Sequence, residues 1–176
     1  TDSVGSPLTG VSIEVRDEQG VVVPNGIIGQ IWVKGDNIML GYYNEPEKTA
    51  ATIQNGWLDT GDLGYFNVRG KLIVTGRIKD IIVNKGFKIY PQEIENVIQM
   101  DPSVIRVGVI GEPDEAAGEI TVAYVQIKTT VPDIEKRLRE LCERHLAAYK
   151  VPRKFVCSTE QLAVTGTGKV DKKVLR

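Results

Sequence analysis

Residues Gly56 to Tyr90 read GWLDTGDLGYFNVRGKLIVTGRIKDIIVNKGFKIY, and this stretch decides how the rest of the chain is interpreted. It begins with a turn rich in Gly and Asp, continues through the apolar run Leu72 to Val74, and ends in a charged joint and a hairpin. We expect the apolar run to be a buried strand. A purely structural hairpin needs one turn, whereas this stretch has several Gly and Asp residues. Two interpretations stay open: a solvated β-meander, or a scaffold that presents polar groups.

The composition is that of a globular protein. The 176 residues suffice for one ordinary domain or two small ones, and a hydrophobic content of 41% provides for a packed core. The formal net charge of -1, with acids and bases interspersed, argues against a nucleic-acid-binding protein, which usually has a basic face. The apolar runs are too short to cross a bilayer, and we expect no secretory signal from the first residues. Because the chain does not begin with Met, we expect a fragment or a processed chain.

Cysteine and histidine are scarce, which limits the chemistry of the chain. Cys142 and Cys157 have neither metal-ligand spacing nor the pattern of a disulfide framework, so we expect free thiols in a reducing cytoplasm. His145, the only histidine, falls on the apolar stripe of a predicted helix, where a structural role or compensation of the helix dipole is expected. One histidine with scattered acids excludes a hydrolytic triad and a zinc site, so we expect no metal site within this chain.

The first half of the chain predicts short antiparallel strands. Apolar and polar residues alternate from Val11 to Val15 and again from Ile31 to Val33, with Gly-containing turns between them. Strands of this length and spacing predict an antiparallel barrel or a small sandwich. Asn44 to Thr49 has the features of a helix start, so a short helix is expected from Thr49 to Ile53.

The second half predicts a small α+β domain. Pro91 to Met100 has Pro at its entry, early acids and one apolar stripe, and predicts a helix. A second helix is expected with Thr130 as its cap and Pro132 at its first position. Strands are expected at Ile105 to Val109, Ile120 to Ile127 and Phe155 to Val156, with one helical turn at Val170 to Arg176. The pattern predicts helices against a three-stranded sheet, with the boundary between the halves at Arg77 to Asp80.

The tail contains Thr165-Gly166-Thr167-Gly168-Lys169, which invites comparison with a phosphate-binding loop. The spacing excludes that loop, because Ala163 and Val170 stand where a Gly and a Ser or Thr are required. What is left is Lys169 on a Gly-flanked loop. It is either a solvated surface lysine or a mobile cation that reaches into a neighbouring site, a role that suits a compact charge on a long stem.

Asp62 and Arg77 are the other polar candidates. Asp62 lies between two glycines, where a carboxylate either binds a diol, as acids bind ribose hydroxyls, or forms a turn with its own backbone. Arg77 follows a Thr-Gly pair. It either contacts the same sugar or a phosphate, or forms a surface ion pair of little energetic value.

Four blocks occur in order along the chain: GQIWVKGDNIMLGYYNEPEKT, GWLDTGDLGYF, GRIKDIIVNKGFKIYPQEIE and TGTGKVDKKVLR. In that order and spacing they resemble the C-terminal part of adenylate-forming (AMP-binding) enzymes, most of all bacterial fatty-acyl-CoA synthetases, from about Gly5 to Arg176. The resemblance implies the end of a large-domain antiparallel β-barrel at residues 1–77. It implies a small mobile C-terminal domain at residues 78–176, with a three-stranded sheet, a hairpin and packed helices.

The activity implied by the resemblance has two steps. A carboxylic acid attacks the α-phosphate of ATP to give an acyl-adenylate and pyrophosphate, and the thiol of coenzyme A then displaces AMP. By the same resemblance, Lys169 is the catalytic cation of the first step. Asp62 holds the ribose hydroxyls, and Arg77 contacts the nucleotide nearby.

The resemblance also assigns residues to the thioester step. Lys79 matches a hinge, about which rotation withdraws the lysine loop and brings in the hairpin around Gly86. A glycine there lets the backbone approach the pantetheine arm closely. Lys85, Phe87 and Lys88 flank Gly86, and we expect them to line the pantetheine channel or to contact the phosphates of coenzyme A.

Parts of the family pattern are absent from this sequence. The phosphate loop, the Tyr-Gly-x-Thr-Glu block that supplies a ligand for Mg²⁺, and most of the acyl pocket would lie upstream of Thr1. We therefore expect the missing N-terminal part of the same enzyme as a partner, and an isolated chain without activity. The last block has Ala163-Val164 where the family usually has Pro-Lys. The expected substrates are ATP with Mg²⁺, coenzyme A and a carboxylic acid, by resemblance a fatty acid. Two alternatives stay open: a domain that loads an acid onto a carrier protein, and a non-catalytic binding module.

Overall fold

The computed structural model describes residues 3–175, and these residues contain ten strands and four α-helices. They form two compact units that divide between Lys79 and Asp80. Each unit has its own sheet, so the fold class is α+β, as the sequence predicts. Within the described residues, no helix has the length and apolar character that a membrane crossing requires.

The first unit is built on an antiparallel five-stranded sheet. Its elements are β1 (Val11–Arg16), β2 (Gly29–Gly35), α1 (Pro46–Thr52), β3 (Ile53–Gln54), β4 (Trp57–Phe66) and β5 (Leu72–Arg77). The long strand β4 is central: β2 pairs with one edge, while β3 and β5 pair with successive parts of the other. The alternation in Val11 to Val15 and around Trp32 therefore predicted two real strands. The short helix is present, but it begins earlier than expected, at Pro46, and Ile53 belongs to β3.

The core of the first unit is small. Its buried residues, Val15, Ile31 and Leu72, come from β1, β2 and β5. The expectation that Leu72 to Val74 is buried throughout is wrong, because Val74 is 39% exposed. Side chains alternate along a strand, so a sheet with one covered face buries every second residue of such a run.

The second unit carries a mixed five-stranded sheet. Its elements are β6 (Ile82–Asn84), β7 (Phe87–Ile89), α2 (Pro91–Ile98), β8 (Val104–Asp114), β9 (Gly118–Ile127), α3 (Ile134–His145), β10 (Lys154–Ser158) and α4 (Lys172–Leu175). The central strand β9 pairs antiparallel with β8 and parallel with β10. These are the three predicted strands. The predicted hairpin, β6 with β7, joins them at the edge of the sheet through Asn84 and Gly118.

The core of the second unit lies between this sheet and the helices α2 and α3. Its most deeply buried members include Ile82, Ile89, Ile94, Ile98, Val109, Ala123, Val125, Leu138 and Cys142. Three consecutive residues of β9, Thr121 to Ala123, are all buried, so both faces of this strand are covered, as its continuously apolar sequence predicts.

The start and the end of α3 differ from the sequence prediction. The helix begins at Ile134, after Asp133, so Thr130 is not its cap and Pro132 is not its first residue. Asp133 has a left-handed backbone (φ 54°), and its carbonyl accepts the first helical hydrogen bond, from the amide of Arg137. At the other end, His145 is exposed rather than part of the apolar stripe, because the helix ends there and the chain turns away.

Candidate functional site

The two nucleotide candidates of the first unit, Asp62 and Arg77, are brought together. They are directly opposite each other on β4 and β5, and Arg77 Nε lies 3.1 Å from Asp62 Oδ1. Their side chains are 34% and 57% exposed, so the pair contributes little to stability. Both ends therefore remain accessible to a ligand that offers better hydrogen bonds than this ion pair.

An irregularity in the sheet produces this pairing. Leu63 pairs with Gly76 and Gly64 with Val74, so Thr75 is one extra residue on β5. Such a bulge changes the direction in which the following side chain points, and bulges are common beside functional sites. The Thr75 hydroxyl is buried and has no hydrogen-bond partner among the residues that the structure describes.

The segment before Asp62 is held by short side-chain bonds. The amide of Asp62 donates to Oγ1 of Thr60 (3.1 Å), and the Thr60 hydroxyl donates to the carbonyl of Ile31 on β2 (2.9 Å). The carboxylate of Asp59 accepts the amide of Gly61 (2.9 Å). The predicted Gly- and Asp-rich turn is therefore part of strand β4, where Asp59 and Thr60 make the local side-chain bonds. The carboxylate of Asp62 stays available for the ion pair and for a ligand.

Lys79, the predicted hinge residue, lies in a single turn of 3-10 helix, Ile78–Asp80. Its side chain is exposed. The backbone immediately before it leaves β5, and the backbone after it enters β6. A change of backbone angles at this point would disrupt neither sheet, which is a requirement for a hinge.

The hairpin residues Lys85, Gly86, Phe87 and Lys88 form one exposed tip in the second unit. Lys85 and Gly86 have φ values of 48° and 83°, which are the left-handed angles of a two-residue hairpin turn. A side chain at Gly86 would meet no atom within 4 Å, so its backbone is open to an approaching group. The hairpin turn is held on the second unit by a hydrogen bond from the amide of Lys85 to the carbonyl of Ala117 (2.8 Å).

Phe87 forms an aromatic pair that the sequence did not reveal. Its ring stacks on that of Tyr149 with centroids 4.9 Å apart and an interplanar angle of 27°. Tyr149 belongs to a turn of 3-10 helix that follows α3, and Lys150 beside it pairs with Glu93 of α2 at 2.7 Å. Phe87 and Tyr149 are 54% and 43% exposed, so they offer an aromatic surface next to the hairpin.

A cavity of about 370 Å³ opens beside this pair, and we call it the hairpin cavity. Its lining includes Lys85, Thr121, Arg139, Glu143, Tyr149 and Arg153. Three of these side chains are cationic and one is anionic. Arg139 is held in place by bonds to the carbonyls of Pro152 (2.9 Å) and Arg153 (3.2 Å). The hydroxyl of the buried residue Thr121 has no hydrogen-bond partner within residues 3–175. The cavity combines positive charge and an aromatic surface, which suits an anionic ligand with a ring.

Lys169 lies in a tight turn between Val164 and Val170, which we call the Lys169 turn. Val164 and Val170 form an isolated antiparallel bridge, and the amide of Thr165 donates to the carbonyl of Lys169 (2.8 Å). The amide of Gly168 donates to the carbonyl of Thr165 (2.8 Å). The backbone is thus a closed hairpin turn, while the Lys169 side chain is exposed. No acidic side chain pairs with its ammonium in the part of the chain that the structure describes.

The two cysteines are not activated as nucleophiles. Burial raises the pKa of the Cys142 thiol to about 11, and burial together with Glu135 raises the pKa of Cys157 to about 11. Both cysteines are free, as the sequence predicts. Across residues 3–175, no group of three or more His, Cys, Asp or Glu side chains has the arrangement of a metal site.

Comparison with known proteins gives a consistent result. The family model for the AMP-binding enzyme C-terminal domain matches residues 93–169, and the model for AMP-binding enzymes matches residues 1–43. A 2-succinylbenzoate–CoA ligase of Bacillus cereus is 41% identical over 174 residues, which are 99% of this chain and 35% of that protein. The chain therefore spans about a third of the length of the curated relatives that it matches.

Solved structures agree with this comparison over nearly the whole chain. ATP-bound MatB from Rhodopseudomonas palustris has a TM-score of 0.93 at 38% identity, covering 99% of this chain and 35% of that one. The o-succinylbenzoate CoA synthetase of Bacillus subtilis, in complex with its acyl-adenylate intermediate, has a TM-score of 0.90 at 36% identity with the same coverage.

Proposed function

Since the chain belongs to the AMP-binding enzyme superfamily and corresponds to the C-terminal part of such an enzyme, we propose that it is one portion of an acyl-CoA synthetase. The observation that carries this proposal is the match, over 99% of the chain, to a synthetase whose structure contains an acyl-adenylate. In this proposal residues 1–77 end the large adenylation domain, and residues 78–176 form the small mobile domain. The reaction joins a carboxylic acid to coenzyme A at the expense of ATP.

In the first step, a carboxylate oxygen of the acid attacks the α-phosphorus of ATP, and pyrophosphate leaves. Lys169 is proposed to stabilise the negative charge that gathers at this centre. Its exposed ammonium, on a turn with no acidic partner in residues 3–175, supports that role. A cation placed where charge develops is worth about 10²–10³ in rate. Asp62 is proposed to accept hydrogen bonds from the ribose hydroxyls, with Arg77 beside it contacting the nucleotide.

In the second step, the thiol of coenzyme A attacks the acyl carbon, and AMP leaves. Rotation at Lys79 is proposed to exchange the Lys169 turn for the hairpin tip. The open backbone at Gly86 supports a passage for the pantetheine arm, with Lys85, Phe87 and Lys88 along it. The hairpin cavity is proposed to receive the phosphorylated nucleotide end, because Arg139 and Arg153 supply positive charge and Tyr149 an aromatic surface.

The substrate set is also part of the proposal. ATP is supported by the ATP-bound relative, and Mg²⁺ is expected to be bound by residues outside this chain. The sequence resemblance points to a fatty acid, whereas two of the matched relatives are named for 2-succinylbenzoate, a carboxylic acid of another class. Two free cysteines support a cytoplasmic location, where thiols stay reduced.

The test is a pair of half-reactions in the full-length enzyme. Acid-dependent exchange of pyrophosphate into ATP measures the first step, with a fatty acid and 2-succinylbenzoate compared as substrates. Lys169→Met should lower this exchange about 10²–10³-fold, since it removes the cation and keeps an unbranched side chain. Lys173→Met is the matched control, because Lys173 is an exposed lysine in the same tail. Exchange at the wild-type rate in Lys169→Met would refute the proposed role.

Two further outcomes separate the alternatives. Transfer of the acyl group to a phosphopantetheinyl carrier protein, with none to free coenzyme A, would identify a carrier-loading enzyme. Full-length protein that binds ATP but performs neither half-reaction would favour a non-catalytic module. The 176-residue chain alone is expected to show no exchange, and acid-dependent exchange by it would contradict the proposal that the remaining two thirds supply the triphosphate site.

A further inference from the structure

One carboxylate ties the C-terminal tail to the core of the second unit. Lys172 Nζ lies 2.7 Å from Glu95 Oε1, and the two side chains are only 21% and 11% exposed. The same oxygen accepts the amide of Val109 at 2.9 Å, in a buried position. Glu95 therefore links helix α2, strand β8 and the short helix α4, which begins at Lys172.

The anchored residue is close in sequence to the Lys169 turn. Lys172 lies three residues after Lys169 in the sequence. Between the two lysines, the amide of Asp171 donates to the carbonyl of Ala163 (2.8 Å). This bond and the bridge between Val164 and Val170 close the base of the turn. The position of the turn on the unit is consequently set by what holds α4, and the ion pair is the charged part of that attachment.

The three lysines of the tail are in different environments. Lys169 and Lys173 are exposed, and neither ammonium has an acidic partner among residues 3–175. Lys172 alone is directed inward and paired. An ion pair that is mostly removed from water is costly to form and more costly to break on one side, because a charge is then left buried without a partner. Such a pair fixes one arrangement of the tail and disfavours others.

We infer that Lys172 and Glu95 are positioning residues for the ammonium of Lys169 in the adenylation step. The inference rests on the proposed function of Lys169. Neither residue needs to touch the nucleotide or the acid, since their effect passes through the backbone of the tail. A displacement of about 1 Å at a reacting group can cost roughly 10²-fold in rate, so a loosened anchor is expected to act on the first step.

The experiment compares four variants of the full-length enzyme: Lys172→Met, Glu95→Gln, Lys172→Arg and the control Lys173→Met. Lys172→Met and Glu95→Gln should lower the maximal rate of pyrophosphate exchange by about 10²-fold, while KM for ATP is unchanged. Lys172→Arg keeps the cation and should restore most of the rate, and Lys173→Met should behave as wild type. Thioester formation from purified acyl-adenylate should keep its wild-type rate in all four variants, because the proposed second step does not use Lys169.

A purely structural role gives a different pattern. If both half-reactions fall together in Lys172→Met, the pair only stabilises the fold, and the inference is overturned. Adenylation at the wild-type rate in both Lys172→Met and Glu95→Gln would overturn it as well.

A second measurement keeps the inference separate from the proposed function. Amide hydrogen exchange in the 176-residue chain reports the bonds that close the turn, at Thr165, Gly168 and Asp171. These amides should exchange faster in Lys172→Met than in Lys173→Met. If the wild-type full-length enzyme shows no exchange of pyrophosphate, the proposed function is wrong. If amide protection is unchanged in Lys172→Met, the ion pair does not anchor the Lys169 turn, and the inference is overturned.

Discussion

Replacing Gly108 by Ala tests how the tail is packed on β8. A Cβ atom at Gly108 would lie 2.8 Å from Cγ1 of Val170 and 2.9 Å from Cδ1 of Leu175. Carbon atoms in contact normally lie about 3.5–4.0 Å apart, so each contact is too short by about 0.6 Å or more. The new methyl group therefore has to displace the two residues that seat the tail on the sheet.

The sign of the change in unfolding free energy shows whether Val170 and Leu175 pack tightly on Gly108. Gly108 does not have a left-handed backbone, so Ala causes no strain there, and in a strand that is free of neighbours it would stabilise by about 0.5–1 kcal/mol. Overpacking in a well-packed site costs about 1–3 kcal/mol. Val170 is β-branched and stiff, whereas the end of Leu175 can rotate away. We expect a net loss of about 1–2 kcal/mol, confined to the docking of the tail.

The assay is amide hydrogen exchange together with urea unfolding of the 176-residue chain. Protection of the Asp171 amide should fall in Gly108→Ala, while amides in the centre of β9 keep theirs. The control is Gly166→Ala, because a Cβ at Gly166 meets no atom within 4 Å and its backbone is not left-handed. The double variant Gly108→Ala/Val170→Ala removes the Val170 methyl groups that the new Cβ would meet, so it should recover part of the lost unfolding free energy. A Gly108→Ala chain as stable as wild type, with unchanged protection at Asp171, would refute the steric argument.

The remaining predictions concern titratable groups. Burial raises the pKa of Asp101, but hydrogen bonds from Ser103 and from Arg137 outweigh it and hold the pKa below its usual 3.8. The stability from this carboxylate is complete above the unfolded pKa and is lost as pH falls through the folded one, so Asp101→Asn should flatten the acid limb of the unfolding free energy measured in urea. With pKa values of about 11, Cys142 and Cys157 should react slowly with a disulfide reagent at neutral pH and rapidly in urea. Fast labelling of the native chain would contradict this.

The parts of the fold that sequence predicts well are those in which a local period is repeated. Examples are the alternation in β1, the apolar run of β9 and the apolar stripe of α2. In each of them, a few neighbouring residues are enough to show which faces of the element are buried. The errors come at ends. Thr130 fits the pattern of a helix cap, but Asp133 adopts a left-handed angle and the helix starts at Ile134. His145 fits the apolar stripe, but it is the last residue of α3 and is exposed.

The candidate residues show the same division. A motif names Asp62 and Arg77, but the contact between them depends on a bulge at Thr75 that shifts the pairing of β4 and β5. Likewise, nothing local to Phe87 predicts its stacking on Tyr149, since the two residues come from elements far apart in the chain. Contacts of this kind depend on strand register and on how helices seat against a sheet, and both are set by the whole unit.

Glu95 is the case in which a sequence signal existed and was weak. On a helix with about 3.6 residues per turn, Glu95 lies roughly 60° from Ile98, at the border of the buried stripe. A carboxylate in that position either turns outward to water or meets a partner at the rim of the core. The structure supplies two partners, the amide of Val109 and the ammonium of Lys172. Neither is near Glu95 in sequence, so the pattern marks the acid as unusual without naming what it holds. The sequence therefore shows an acid at the edge of an apolar stripe and, separately, several lysines in the tail. Only the folded unit shows that Glu95 pairs with Lys172.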